Sequence, residues 1–243
     1  MQVDLQSLGT FQDLARRGAE SDALLQAVDE HGGAGDQPVP LGKLSVFNEM
    51  TRRGTGEAAD NITSMTGIET SVDVSRLSFV PVSAVPDRVD DRTYVGLVFA
   101  FTGTPSGYLA FLFDESSART LAASSIPMDT GSGWGEMEAS AMKELGNIMT
   151  SGFIDGWANV LETTIDHSPP QFVHDGGPAI LRAVAGKLDR GQRYAFVVDS
   201  TVRTADRDVA CDIYALPDAE QLRRALAAIR TDRDDHVQPE FDV

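Results

Sequence analysis

The sequence predicts an α/β protein of the α+β type: a duplicated, pseudo-two-fold domain whose antiparallel sheet carries two long helices on one face. Three observations predict it. The order helix, strand, paired strands, helix runs along the chain twice; each run opens on a long stretch of helical apolar spacing; and an aspartate follows the last strand of each, Asp114 before "ESSARTLA" and Asp218 before "AEQLRRALA". Each aspartate is placed to cap the helix that follows it. The repeat is too long for a solenoid unit, so the two halves are expected to share one sheet.

Taken in order, residues 3–30 show helical spacing, with Val3, Leu5, Leu8, Phe11 and Leu14 on one side and Leu24, Leu25 and Val28 after Gly18. The Gly- and Pro-rich "HGGAGDQPVP" ends that segment, so residues 1–37 read as a helical appendage and linker. The main domain is expected over 38–230, with halves at about 41–126 and 134–230, and the charged, apolar-poor 231–243 reads as a disordered tail. The first half opens with a helix over about 41–65 and continues through the extended "ETSVDVSRLSFVPVSAV". The β-rich runs "TYVGLVFAF" and "SGYLAFLF" follow, joined by the turn "TGTP", and the helix "DESSARTLAAS" closes the half. The second half opens with a helix over about 134–162 and passes through "TTIDHSPPQFVHD" to a short helix near 178–185. Strands "RYAFVVDSTV" and "DVACDIYAL" and the helix "DAEQLRRALAAI" complete it. A third echo, "FQDLARRGAE" against "FNEMTRRGTGE", is of the kind short amphipathic helices share through patterning alone.

Composition narrows the function classes. In 243 residues, 42% are apolar, enough to fill a core, and 37 acidic against 20 basic residues give a formal charge of −17. That charge argues against nucleic acid or an anionic membrane surface as partner and favours basic ones. Lys43, Lys143 and Lys187 are the only lysines, and a surface poor in lysine and rich in aspartate resembles proteins of salt-loving cytoplasm. Cys211 is alone, which excludes an intramolecular disulfide and a cysteine-rich zinc site. No apolar run approaches the roughly 20 residues a membrane span needs, and the start lacks a signal-peptide pattern, so a cytoplasmic protein is expected.

The stretch "AMKELGNIMTSG" in the second long helix holds the candidate chemistry. Met142, Leu145, Ile148, Met149, Gly152, Phe153, Trp157, Val160 and Leu161 recur at helical spacing and form the expected core stripe. Off that stripe, Glu144, Asn147, Ser151 and Asp155 make a ridge facing solvent or a partner. An acid and an amide three residues apart can address one incoming site: the carboxylate accepts from a cation, and the amide, donor and acceptor together, can fix a water. Glycine inside a helix costs about 0.5–1 kcal/mol relative to alanine. Gly146 and Gly152 beside this pair are therefore expected to let something approach the backbone.

With Glu144 and Asn147 in "ELGNI", the small pair Ser140 and Ala141 before them, and "PP" and Asp175 after, this region resembles the second half of the CheC family of chemotaxis phosphatases, which includes CheX and the FliY phosphatase domain. The likeness extends over roughly 41–229 and implies the CheC-like fold. It further implies hydrolysis of the phospho-aspartate of a CheY-type response regulator, with Asn147 orienting the attacking water and Glu144 docking on the regulator's lysine. Mg2+ would come from the regulator, the protein needing no cofactor of its own. In the first half, "FNEMTRRGTGEAADNI" follows the family pattern at Glu49, Gly54, Gly56, Ala58 and Ala59, but Arg52 stands where the Asn belongs. A guanidinium has donors only, so one working site is expected.

The resemblance also implies a contact with CheD, a receptor deamidase, at Asp175; an aspartate ordering the turn before "GGPAIL" accounts for the same residue. A non-catalytic adaptor binding CheD, CheY or a motility-apparatus protein is the alternative function. Other signals are discounted. His167 and His174, flanked by Asp166 and Asp175, match no compact metal-ligand spacing, "GTGEAAD" lacks the strand a phosphate loop needs, and Ser, His and Asp show no triad order.

Overall fold

The computed structural model describes residues 41–67, 69–125, 133–188, 192–204 and 209–228. The expected appendage at 1–37 and tail at 231–243 lie outside the described residues. The first half comprises α1 (Leu41–Thr66), β1 (Thr70–Pro81), a 3-10 turn (Val82–Arg88), β2 (Thr93–Gly103), β3 (Gly107–Asp114) and α2 (Glu115–Ser125). The second comprises α3 (Glu136–Leu161), β4 (Ile165–His167), β5 (Gln171–Gly176), α4 (Gly177–Ala185), β6 (Tyr194–Thr204), β7 (Ala210–Pro217) and α5 (Ala219–Ala228). The stretch "TTIDHSPPQFVHD", which has no periodicity of its own, becomes two short strands because Pro169 and Pro170 lack the amide hydrogen a continuous ladder would use.

The halves interlock. The sheet runs β1-β6-β7-β3-β2-β4, with β5 also on β2, and every pairing is antiparallel. Each half's leading strand therefore pairs with the other half's hairpin, β1 on β6 and β5 on β2. The two hairpins meet where β3 pairs β7, from Gly107 opposite Pro217 to Phe113 opposite Cys211. Each half thus covers a sheet edge of the other.

Alternation sorts the strand residues onto two buried faces. On one, Val95, Leu97, Phe99, Phe101, Leu109, Phe111, Phe113, Ile213 and Ala215 pack beneath α1, α2, α3 and α5. On the other, Tyr94, Val98, Ala110, Leu112, Tyr214 and Leu216 pack with Ile180, Leu181 and Val184 of α4 and with Val85 of the 3-10 turn. Both predicted caps form: Asp114 Oδ1 accepts from the Ser117 amide at 2.8 Å, and Asp218 Oδ1 from the Gln221 amide at 2.7 Å. Burial pushes the Asp114 carboxyl up, but hydrogen bonds from Ser116 and Ser117 outweigh it and hold the group below its ordinary value.

The two long helices cross antiparallel with their backbones almost touching. A methyl on Gly156 would lie 2.6 Å from the Gly54 nitrogen, and one on Gly54 would lie 2.8 Å from the Phe153 carbonyl oxygen. These neighbours are main chain and cannot rotate away. Gly156→Ala is therefore expected to lower stability by about 2 kcal/mol or more. Gly56→Ala, at a helical position with nothing within 4 Å of the added methyl, is expected to raise it by about 0.5–1 kcal/mol. Denaturant melts of the two variants check the contrast.

Candidate functional site

The apolar stripe of α3 is seated as predicted. Met142, Leu145, Met149, Phe153 and Trp157 are buried against the sheet and α1, with Ile148 and Val160 only half-buried at its margin. That seating forces the opposite side outward: Glu144, Ser151 and Asp155 are exposed and Asn147 is half-buried. Among the described residues no hydrogen bond or ion pair engages the Glu144 carboxylate or the Asn147 side-chain amide. Asp155, at the far end of the ridge, faces α1. There, burial and the Asp155 charge push the Glu57 carboxyl above its usual value.

What approaches the backbone at these glycines is the chain itself, α1 at Gly152 and the sheet at Gly146. A methyl on Gly146 would sit 2.7 Å from Leu97 Cδ1 in the sheet, and one on Gly152 would sit 3.0 Å from the Glu57 carbonyl oxygen and collide with the Asn61 amide. Both face inward, because three or four residues along a helix return to one side and the ridge is on the other.

Around Asn147 the main chain is met by one side chain from α1 and one from its own helix. Asn61 Nδ2 of α1 donates to the Ile148 carbonyl at 3.0 Å. The Ser151 hydroxyl lies 3.0 Å from the Asn147 carbonyl oxygen and 3.2 Å from His167 Nε2 on β4. The His167 ring stands edge-on to Phe99, centroids 6.0 Å apart, and its Nδ1 is 3.1 Å from the Ser168 carbonyl oxygen. Asn61 was missed from sequence; its only signal is an amide bordering the apolar Ala58, Ala59 and Ile62 on the first helix.

The corresponding turn of α1 is closed by its own charges. Glu49 Oε1 accepts from Arg53 Nε at 2.7 Å and Oε2 from Arg52 Nη2 at 2.9 Å, with 35% of the Glu49 side chain exposed against 69% of Arg52. Hydrogen bonds from Arg53 and Arg52 hold the Glu49 carboxyl below its usual 4.5. Arg52, three residues after Glu49 as Asn147 is after Glu144, is thus a cation that occupies the neighbouring acid.

Asp175 is exposed on β5 opposite Tyr94, and its Oδ1 accepts from the adjacent Gly176 amide at 2.7 Å. The residue capping α4 is Gly176, without a side-chain bond. His174 leans toward Glu115, 3.6 Å away, and Trp134, while His167 faces Ser151, so the two histidines do not converge. Among the described residues no group of three or more His, Cys, Asp or Glu side chains is placed to hold a metal, and no helix is long and apolar enough to cross a membrane.

An interlocked antiparallel sheet with two antiparallel long helices on one face, one of them carrying an exposed acid–amide pair, defines a duplicated α+β class of protein. Comparison agrees. The CheC-like family profile matches residues 137–174, the span from the start of α3 to β5. A Halobacterium salinarum protein named "Putative CheY-P phosphatase CheC1" is 36% identical over 194 residues, covering 79% of this chain and 98% of that one. The chain belongs to the CheC-like family. Its fold is similar to Thermotoga maritima FliY, with a TM-score of 0.63 at 15% identity over 77% of this chain and 96% of that one. It is also similar to the FliM middle domain from H. pylori, with a TM-score of 0.56 at 9% identity over 79% and 100%.

The closure of the first turn can be read directly. With Arg52 and Arg53 both replaced by alanine, the Glu49 carboxyl is expected to titrate back near 4.5, as read by carboxyl-carbon NMR across the acid range.

Proposed function

We propose that the protein hydrolyses the phospho-aspartate of a CheY-type response regulator in chemotaxis signalling. The observation carrying this reading is the open pair on α3: Glu144 and Asn147 lie on one outward ridge, and among the described residues neither side chain has a hydrogen-bond or ion-pair partner. Family membership and the name of the Halobacterium relative support it. An acyl phosphate is already reactive, and charge stabilisation at phosphorus would be supplied by the regulator's own Mg2+. What remains is a water held in line with the bond to be broken. The Asn147 amide suits that task, since its carbonyl accepts a water hydrogen while its NH2 group donates, and it does so without changing charge. Glu144, one turn earlier, presents an unpaired carboxylate to a lysine beside the regulator's aspartate. No covalent intermediate on this protein is invoked.

The reaction then has one site. At the two-fold-related turn Glu49 is already paired and Arg52 cannot accept a hydrogen from water. That closure also favours a second reading, an adaptor that holds a regulator or CheD without catalysis, with Asp175 as the CheD contact.

Decay of acyl-phosphorylated regulator with Mg2+ separates the two readings, measured at the high salt that suits an acidic, lysine-poor surface. Catalysis is expected to speed decay; Asn147→Ala should lower the saturating rate by about 10²-fold. Its stability should stay within about 0.5 kcal/mol of the parent. Glu144→Ala should raise KM about tenfold with a smaller effect on kcat, and Arg52→Ala should leave both unchanged. Unaltered decay with an intact regulator complex decides for the adaptor.

A further inference from the structure

We propose that Asn61, from the half without a working pair, and Ser151, backed by His167, are positioning residues that pin the helical turn bearing Asn147. The proposal rests on the phosphatase reading for its kinetic consequence and on geometry for its mechanism. Two successive carbonyls at that turn each have a side-chain donor in addition to their place in the helix. The Asn147 oxygen has the Ser151 hydroxyl at 3.0 Å, and the Ile148 oxygen has Asn61 Nδ2, also at 3.0 Å. Asn61 approaches from α1, across the crossing, and Ser151 from the next turn of α3 itself, its hydroxyl oxygen 3.2 Å from His167 Nε2 on β4.

The access route for Asn61 is built into the packing. Gly152 has no side chain on the face toward α1, and the Asn61 amide fills the place a methyl there would take. At the two-fold-related crossing Gly156 occupies the position of Asn61, resting against Arg53 and Gly54. A glycine has no side chain to donate, so the cross-helix bond exists only at the turn that carries the free amide. The β4 side is tied through a shared proton. A carbonyl only accepts, so His167 Nδ1 carries its proton toward Ser168 and Nε2 is an acceptor; the single Ser151 proton is then shared between the Asn147 oxygen and Nε2, with the ring set against Phe99.

The physical consequence concerns aim rather than affinity. Orienting a water for in-line attack requires placement to within a fraction of an ångström, and misplacement by about 1 Å can lower a rate about 10²-fold. An amide that must remain unbonded to its own chain cannot be held by its own hydrogen bonds. Its main chain must be held instead, leaving only the two side-chain torsions to settle on the regulator.

Two variants test this, Ser151→Ala at an exposed position and Asn61→Leu in the helix interface, with Ser151→Thr as the conservative control that keeps the hydroxyl. Two readouts are taken on each folded protein: the order parameter of the Asn147 side-chain amide by 15N relaxation in the free protein, and kcat and KM toward phosphorylated regulator. Pinning is expected to show as a lower Asn147 order parameter in Ser151→Ala and Asn61→Leu, with kcat reduced about tenfold and KM within about twofold of the parent. Ser151→Thr should restore both. An unchanged order parameter in the two disruptive variants overturns the proposal whatever the rates. A rise in KM with kcat intact also overturns it, since the residues would then be regulator contacts. A parent protein that does not accelerate decay sinks the phosphatase reading, and the amide measurement still decides whether Asn147 is pinned.

Discussion

The close crossing of α1 and α3 is the constraint on which the rest depends. Gly54 and Gly156 let the two backbones meet directly, Gly152 leaves room for the Asn61 amide, and the outward ridge of α3 takes its direction from that contact together with the sheet beneath. A crossing held apart by larger residues would lift α3 off the sheet. Gly146, now in touch with Leu97 and Phe99, would lose that seat, and the ridge bearing Glu144 and Asn147 would turn. Backbone contact of this kind costs helix propensity at each glycine, and dispersion between the close-packed helices offsets it.

The two halves share a scaffold and differ in a few side chains. One turn exposes an acid and an amide with no partner among the described residues; the other exposes an acid already satisfied by two guanidinium groups. The difference is chemical before it is structural, because both turns sit on long helices of equal length, 26 residues, packed on the same face of the sheet. An exposed pair of ions of this sort adds little to stability, so its significance is that it occupies Glu49.

Similarity of fold reaches from FliY to the FliM middle domain at identities of 15% and 9%, a range in which architecture persists while surface chemistry need not. Function in such a family has to be argued at the ridge. The CheC-like profile, which spans 137–174, takes in the ridge and the strand that supplies His167, and so covers the candidate site and one of its supports together.

By itself the sequence determined the duplication, the two long helices, both aspartate caps and the outward ridge of Glu144, Asn147, Ser151 and Asp155. All of these follow from local periodicity and capping chemistry, which act between residues a few positions apart. Arg52 in place of the family's asparagine was equally legible, since a one-residue departure from a motif needs no coordinates. Only the tertiary structure decided how the halves exchange strands, what Gly146 and Gly152 touch, and that Asn61 reaches the turn after Asn147. Those facts depend on residues far apart in the chain meeting, as Asn61 and Ile148 do, 87 positions apart, at the helix crossing. No period in a linear chain encodes that distance, because it is set by how two faces pack and by which side chain is missing where they touch.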